Sequence, residues 1–151
     1  MSLVRTPVKV ILAGSSADTL HYESLIKKSG VGDRVRLLGY VSDDEMVKLY
    51  ANALGVCYLP FDEDYGYVTL EGMLSGKPVL VTSDGGGGTE FIEHQREGFV
   101  VEPEPQAIAD SLDQLFSDRA QARAMGERGR EKVQSLNLSW EHVVDRLISA
   151  G

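Results

Sequence analysis

Two carboxylates stand out as groups that could do chemistry: Glu63 and Glu71, separated by seven residues. The run at residues 55–59 before them is short and apolar, which is typical of a buried strand. Pro60 ends that run because proline lacks the backbone N–H that a sheet needs. Gly66 then closes an acidic loop. A carboxylate accepts hydrogen bonds from two neighbouring hydroxyl groups, so sugars and riboses are suitable partners for either glutamate.

The residues after this loop predict a short helix over 67–75, with Gly76 as its C-terminal cap. The order strand, acidic loop, glycine, helix points the free N–H groups of the helix at whatever lies above the strand, and such a helix end attracts phosphate. Glu71 then lies about one turn inside the helix, whereas Glu63 belongs to the loop. The two would therefore contact different parts of one ligand. A pair at this spacing is also common among solvated surface glutamates, so both interpretations stay open at this point.

The segment Glu63-Asp-Tyr-Gly-Tyr-Val-Thr-Leu-Glu71 resembles the E-x7-E signature of retaining glycosyltransferases of the GT-B fold, and of family 4 in particular. Asp64 and Tyr65 stand where that signature more commonly has Gly and Phe. The resemblance covers nearly the whole chain, and its other segments follow in the family's order. These segments are residues 10–14, 35–45, 76–81, 83–90 and 98–103.

This resemblance implies that residues 1–151 are a single nucleotide-sugar-binding domain, the truncated C-terminal domain of a two-domain enzyme. The implied reaction transfers a sugar from a nucleotide diphosphate sugar to an acceptor hydroxyl with retention of the anomeric configuration, as in polysaccharide or glycolipid biosynthesis. The acceptor, a sugar or a lipid, would bind through an N-terminal domain that this chain lacks, so the isolated chain is expected to be inactive. The family generally uses its donor without a metal, and we expect no cofactor here.

The resemblance also implies roles for individual residues. Glu63 would contact the donor sugar near the reacting centre and is the candidate catalytic residue, whereas Glu71 would accept hydrogen bonds from the ribose hydroxyls. The other candidates for substrate binding are Tyr65, Gly66, Tyr67 and Val68 beside the sugar and diphosphate, and Tyr40 and Val41 near the base. Family members also have an Arg…Lys pair that grips the diphosphate, and this chain begins too late to contain it.

Length and composition fit one globular domain with a single core: 151 residues, 42% of them hydrophobic and 25% charged. The net charge of −8 argues against nucleic acid or an anionic membrane as a partner. No apolar run reaches the length of a membrane span and no secretory signal is visible, so we expect a cytoplasmic location. The single cysteine, Cys57, falls in a predicted strand and is expected to be a buried, inert thiol.

Apolar segments that alternate with helical patterns predict an α/β fold. The expected architecture is a Rossmann-like parallel sheet of about five strands with helices on both faces, the C-terminal half of a GT-B fold lacking its first strand. The strands are predicted at residues 8–13, 35–38, 55–59, 78–82 and 99–101. In the resembled domains the absent strand is central, so residues 8–13 and 55–59 would each have an open edge. We expect these two strands to pair directly; an inserted segment or self-association through the exposed edges are the alternatives.

Helix signals place most of the remaining residues. Asp18 is expected to cap a first helix whose buried stripe contains Leu20, Leu25 and Ile26. Ser42 and Glu45 form a capping box that opens a second helix. Further inward-facing positions are Met46, Leu49 and Tyr50 in the second helix, Ile108, Leu112, Leu115 and Phe116 in a later one, and Trp140, Val143, Val144, Leu147 and Ile148 near the end, with a polar helix over residues 118–134 between the last two.

Other classes of protein fit these residues less well. The glycine run 85–88 is not a Walker phosphate loop, because Thr89 and Glu90 follow where that motif needs Lys and then Ser or Thr. A response-regulator receiver needs an acidic pair after its first strand and a lysine after its last, and this chain has neither. The three histidines are too scattered in sequence to form a metal site. A GT-B-like epimerase or phosphorylase, or a non-catalytic nucleotide-sugar-binding module, stays open as an alternative function.

Overall fold

The computed structural model describes residues 1–137 and 148–149, and over these residues it has the predicted α/β alternation. The helix predicted from Trp140 onward lies almost entirely outside the described residues. None of the described helices is long and apolar enough to cross a membrane. In chain order the elements are β1 (Val10–Ala13), α1 (Thr19–Lys28), β2 (Val35–Gly39), α2 (Asp43–Asn52), β3 (Val56–Cys57), α3 (Tyr67–Leu74), β4 (Val79–Thr82), a 3-10 helix (Gly87–Phe91), β5 (Gly98–Val101), α4 (Pro105–Ser117) and α5 (Arg119–Ser135).

The strands are all parallel, as predicted, but they form two sheets instead of one. β1 pairs with β2, and a second sheet has the order β3-β4-β5. The predicted direct pairing of residues 8–13 with residues 55–59 is therefore wrong, and no described segment is inserted between them. Within the described residues both β1 and β3 keep an unpaired edge, an arrangement that invites pairing with other chains.

Contacts of the N-terminal segment explain why β1 does not close onto β3. The backbone N–H groups of Arg5 and Thr6 donate to the Asp113 carboxylate of α4, at 3.0 and 2.8 Å. The Arg34 guanidinium, just before β2, donates to the carbonyl oxygens of Met1, Val4 and Thr6. These bonds attach the two-stranded sheet to α4 at the amino ends of its strands, and they leave its open edge apart from β3.

The core lies around the three-stranded sheet, and β4 is buried at all four of its residues. Successive residues of a strand face opposite sides, so β4 contributes to two separate apolar clusters. One cluster contains Met73, Val79, Val81, Ile92 and Val133, and the other contains Leu80, Phe99, Leu115, Ala122 and Met125. Helices therefore cover both faces of this sheet, as predicted for a buried parallel strand.

Helix α5 reads as polar in sequence, yet it packs closely against the turn between α3 and β4. Its buried residues are Ala122, Met125, Gly126, Gly129 and Val133. A Cβ atom on Gly126 would overlap the carbonyl group of Gly76, so a glycine is needed for this approach. The small residues of α5 therefore provide a packing surface that a count of apolar side chains does not reveal.

The side of the molecule around β1 and β2 is much less covered. Leu20 is 82% exposed and Leu25 is also exposed, so the buried stripe predicted for α1 is wrong: no described layer covers that face. Asp18 stands at the N-cap position of α1 but makes no side-chain capping bond. The capping box of Ser42 and Glu45 is confirmed.

Cys57 lies on β3 and is exposed, so the prediction that it is buried is wrong. The strand has an open edge on one side, and this is why a residue in an apolar run is accessible. The sulfur itself is desolvated, which raises the pKa of the Cys57 thiol to about 11 and keeps it protonated at neutral pH.

Candidate functional site

The loops that follow β3 and β4 are joined to each other by backbone contacts. The N–H of Asp62 donates to the carbonyl of Asp84 at 2.9 Å, and the N–H of Gly87 donates to the carbonyl of Glu63 at 2.8 Å. Gly86 has a φ of 76°, and a Cβ atom there would overlap the backbone of Glu63. The glycine run thus allows the second loop to pack against the acidic loop, which fixes the backbone that carries Glu63.

Helix α3 begins at the left-handed residue Gly66, whose φ is 63°. A Cβ atom at Gly66 would overlap the backbone of Gly88, so the two glycines permit the close approach of loop and helix. The amide groups of Tyr67 and Val68 lie in the first turn of α3, where backbone N–H groups have no intrahelical acceptor. These free donors and the positive end of the helix can bind an anionic group.

Glu63 is half-buried in the loop after β3. The hydroxyl of Tyr58 donates to its Oε2 atom at 3.4 Å. Burial and the negative charge of Glu63 raise the pKa of Tyr58, so the phenol stays protonated as a donor. Tyr58 therefore makes a long, weak hydrogen bond to one oxygen of the predicted catalytic carboxylate.

Glu71 projects from the second turn of α3, where it is exposed. The hydroxyl of Tyr50, on α2, donates to its Oε2 atom at 2.8 Å. Burial and this bond to Glu71 raise the pKa of Tyr50 well above its usual value. No described residue donates a hydrogen bond to Oε1 of Glu71, so one oxygen is held and the other remains an open acceptor.

The sequence does not identify the two tyrosines that contact the glutamates as site residues. Tyr50 has the spacing of an inward-facing residue of α2, and Tyr58 belongs to an apolar strand. The available signal was their residue type, because a half-buried tyrosine needs a partner for its hydroxyl. Nothing in the spacing along the chain identifies Glu71 or Glu63 as that partner.

The remaining predicted residues surround the first turn of α3 or follow β2. Tyr65 and Tyr67 are exposed, and their rings are stacked with centroids 5.7 Å apart and an interplanar angle of 18°. Tyr40 is exposed at the carboxyl end of β2, and Val41 beside it is half-buried. Among the described residues, no hydrogen bond or ring contact joins Tyr40 or Val41 to the two glutamates. The same residues contain no group of three His, Cys, Asp or Glu side chains placed to hold a metal ion.

Comparison with known proteins assigns the chain to a family. The sequence model of the family described as "Glycosyl transferases group 1" matches residues 2–132. The chain belongs to the group 1 glycosyl transferases. In this group 1 glycosyl transferase the matched range includes Glu63, Glu71 and the tyrosines that contact them.

Two curated relatives show how much of such a protein the chain represents. It is 32% identical over 148 residues to an uncharacterized glycosyltransferase of Methanocaldococcus jannaschii, and 32% identical over 147 residues to a D-inositol 3-phosphate glycosyltransferase of Corynebacterium urealyticum. The alignments cover 97% and 94% of this chain but 37% and 34% of the relatives. The chain therefore spans about a third of the length of these relatives.

Solved structures give the same result for the fold. Anabaena HepE in complex with UDP and glucose matches with a TM-score of 0.79 and 25% identity, over 98% of this chain and 42% of HepE. The family assignment and this likeness confirm the predicted fold class, a GT-B type α/β domain.

Proposed function

We propose that this group 1 glycosyl transferase domain binds the nucleotide diphosphate sugar of a retaining, family 4 enzyme, which transfers the sugar to an acceptor hydroxyl. The observation that carries the proposal is the arrangement around α3. Glu63 and Glu71 lie on the two sides of the helix N-terminus in sequence, and each accepts a hydrogen bond from a tyrosine. A nucleotide diphosphate sugar has hydroxyl groups at both ends and an anionic diphosphate between them, which this order of groups matches.

Glu71 is the proposed partner of the ribose. Because Tyr50 occupies Oε2, the open Oε1 atom is available to a ribose hydroxyl. Tyr40 and Val41 are proposed to lie near the base, since they follow the carboxyl end of β2, where ligands of open α/β sheets bind.

The amides of Tyr67 and Val68, after the left-handed Gly66, are the proposed partners of the diphosphate. The leaving diphosphate gains negative charge as the bond to the sugar breaks, and preorganised N–H groups stabilise such charge. The additional cations, and the acceptor site, are proposed to come from parts of the whole protein outside these 151 residues. HepE, the structural relative described above, was solved with UDP and glucose, which supports a nucleotide and sugar ligand class.

Glu63 is the proposed catalytic residue, near the sugar carbon that reacts. The hydrogen-bonded loops fix its backbone and Tyr58 contacts one of its oxygens at 3.4 Å, which leaves the other oxygen for the donor sugar. The adjacent Tyr65 and Tyr67 are proposed to contact the sugar end of the donor.

The whole protein, supplied with its donor sugar, tests these roles. Glu63→Gln is expected to lower kcat with little change in donor binding, because the charge is lost while the shape is kept. The product's anomeric configuration, read by NMR, is expected to match that of the donor. An inverted product would overturn the retaining assignment, and an unchanged kcat in Glu63→Gln would overturn the catalytic role.

A further inference from the structure

A cavity of about 410 Å³ lies at the amino ends of strands β3 and β4, whereas Glu63 and Glu71 follow the carboxyl end of β3. It is formed where the chain enters β3 and β4, at the amino ends of these strands, and by one side of α5. We call it the basic cavity. Its lining residues are Ala53, Leu54, Ser75, Gly76, Lys77, Pro78, Arg119, Arg123, Glu127 and Arg130.

The basic cavity has a net charge of +3, from four cations and one carboxylate, in a chain whose net charge is −8. Arg123 pairs with Glu127 at 3.2 Å. Lys77 donates to the neutral carbonyl of Ala51 at 2.9 Å, and the Arg119 guanidinium lies 4.8 Å from the centroid of the Phe116 ring. These two contacts leave both charges without a counter-ion among the described residues.

Arg130 has no hydrogen-bond or ion-pair partner within residues 1–137 and 148–149. Together with Lys77 and Arg119 it gives the basic cavity three cations that no described carboxylate neutralises. Arginine and lysine in this state retain their capacity to bind an external anion, and the fork of an arginine matches the oxygens of phosphate.

In a second cavity, of about 350 Å³, the cations instead have hydrogen-bond and ion-pair partners within the protein. There Glu97 is only 2% exposed and pairs with Arg96 at 3.2 Å and with Lys132 at 3.5 Å. Arg128 donates to the backbone carbonyl of Arg96 at 2.7 Å. The cations of this second cavity are therefore occupied by a buried carboxylate and a carbonyl group.

Helix stability explains only part of the positive charge in the basic cavity. Lys77 and Arg130 lie near the carboxyl end of α3, where positive charge is favourable. Arg119, however, is the first residue of α5, where the helix end is already positive and a cation is unfavourable. A positive group at that position is consistent with a binding role.

We propose that the basic cavity binds a phosphate group through Arg119, Arg130 and Lys77. The ligand class is a small phosphate or diphosphate, either free in solution or as the headgroup of an anionic lipid. This site is independent of the proposed donor site, since it lies at the amino ends of the strands, the donor site lies at their carboxyl ends, and the two share no residue.

Titration of the isotope-labelled 151-residue chain with inorganic phosphate and pyrophosphate, followed by amide NMR shifts, tests the proposal. Saturable shifts are expected around Lys77, Arg119 and Arg130, beyond those caused by sodium chloride of equal ionic strength. The double variant Arg119→Gln/Arg130→Gln is expected to weaken binding at least about tenfold, the scale for losing a charge-assisted hydrogen bond. The matched control Arg128→Gln, in the second cavity, is expected to bind like the wild type.

Vesicles of phosphatidylcholine with and without phosphatidic acid distinguish the two sources. Co-sedimentation only with phosphatidic acid, abolished in the double variant, would assign the site to a lipid headgroup, and saturation by free phosphate or pyrophosphate alone would assign it to a soluble ligand. The proposal is overturned if neither probe binds, or if the double variant, shown to be folded by its own amide spectrum, binds as the wild type does.

Discussion

The two sheets of this domain each contain a strand of apolar sequence, but the surroundings of these two strands differ greatly. Both β1 and β4 are apolar runs, yet β4 is buried along its whole length whereas Ile11 and Leu12 of β1 are each 47% exposed. The difference lies in their neighbours: β4 has a strand on each side and helices on both faces, while β1 has one partner strand in the part of the chain that the structure describes. An apolar strand sequence therefore predicts that the strand packs against other apolar residues. It does not show that those residues belong to the same chain.

The largest expected difference between the two sheets is in unfolding stability. Phe99→Ala in the three-stranded sheet should lower the free energy of unfolding by about 3–5 kcal/mol, because Phe99 is only 2% exposed and leaves a cavity. Leu12→Ala should cost less than about 1 kcal/mol, since half of that side chain is already in water. Urea denaturation followed by circular dichroism measures both. Equal losses would mean that β1 is covered in solution, and concentration-dependent unfolding would then identify a second copy as the cover.

A smaller effect is expected at the contact that attaches the two-stranded sheet to α4. Asp113→Asn should lower the free energy of unfolding by about 1–3 kcal/mol, because it replaces a buried acceptor of several hydrogen bonds with an amide. Asp110→Asn, which changes an exposed partner of Arg5, is the matched control and should have little effect.

The same contact predicts a pH dependence. Burial acts to raise the pKa of Asp113, but its hydrogen bonds with Thr6 and Arg5 outweigh burial and hold the pKa well below its usual range. A carboxyl whose pKa is lower in the folded state than in the unfolded state stabilises the fold above the unfolded pKa, about 3.9. This stabilisation is lost as pH falls below about 4, so the difference in stability between wild type and Asp113→Asn should shrink there. A difference that is constant from neutral pH to below about 3 would contradict this account.

A further, modest effect on stability is expected at Tyr50, which connects α2 to α3 beside the candidate donor site. Tyr50→Phe should lower the free energy of unfolding by about 0.5–1.5 kcal/mol, the usual net value of one hydrogen bond. It should also weaken nucleotide binding by the whole protein, because the Glu71 carboxylate loses the donor that orients it. Tyr58→Phe is the comparison variant, and its longer bond of 3.4 Å to Glu63 should make it the milder change in stability. Unchanged nucleotide binding in Tyr50→Phe would exclude an orienting role for Tyr50.

Local signals in the sequence predicted α3 and its surroundings well. Gly66 and Gly76 both adopt left-handed backbone at the ends of α3, and the strand, loop and helix order around them agrees with the structure. These features were predictable because each depends on residues close together in the chain. The roles of Tyr50 and Tyr58 were not predictable, because each depends on a side-chain contact formed only in the folded chain.

The errors are concentrated around the two-stranded sheet. Leu20 and Leu25 have helical spacing, but the described structure provides no layer for them to pack against. The predicted pairing of β1 with β3 also failed, because hydrogen bonds from Arg5 and Thr6 to α4 set the position of β1. Periodicity identifies which face of an element is apolar, and long-range contacts decide whether that face is covered.

The central claim is that Glu71 binds the nucleotide of the donor, and a calorimetric titration tests it most directly. UDP, GDP and ADP would be titrated into the whole protein as wild type, as Glu71→Ala, and as Glu23→Ala, a control at an exposed glutamate of α1. We predict that one nucleotide binds the wild type, that Glu71→Ala weakens this binding by about 1–3 kcal/mol, and that Glu23→Ala leaves it unchanged. Wild-type affinity in Glu71→Ala would contradict the proposed donor site.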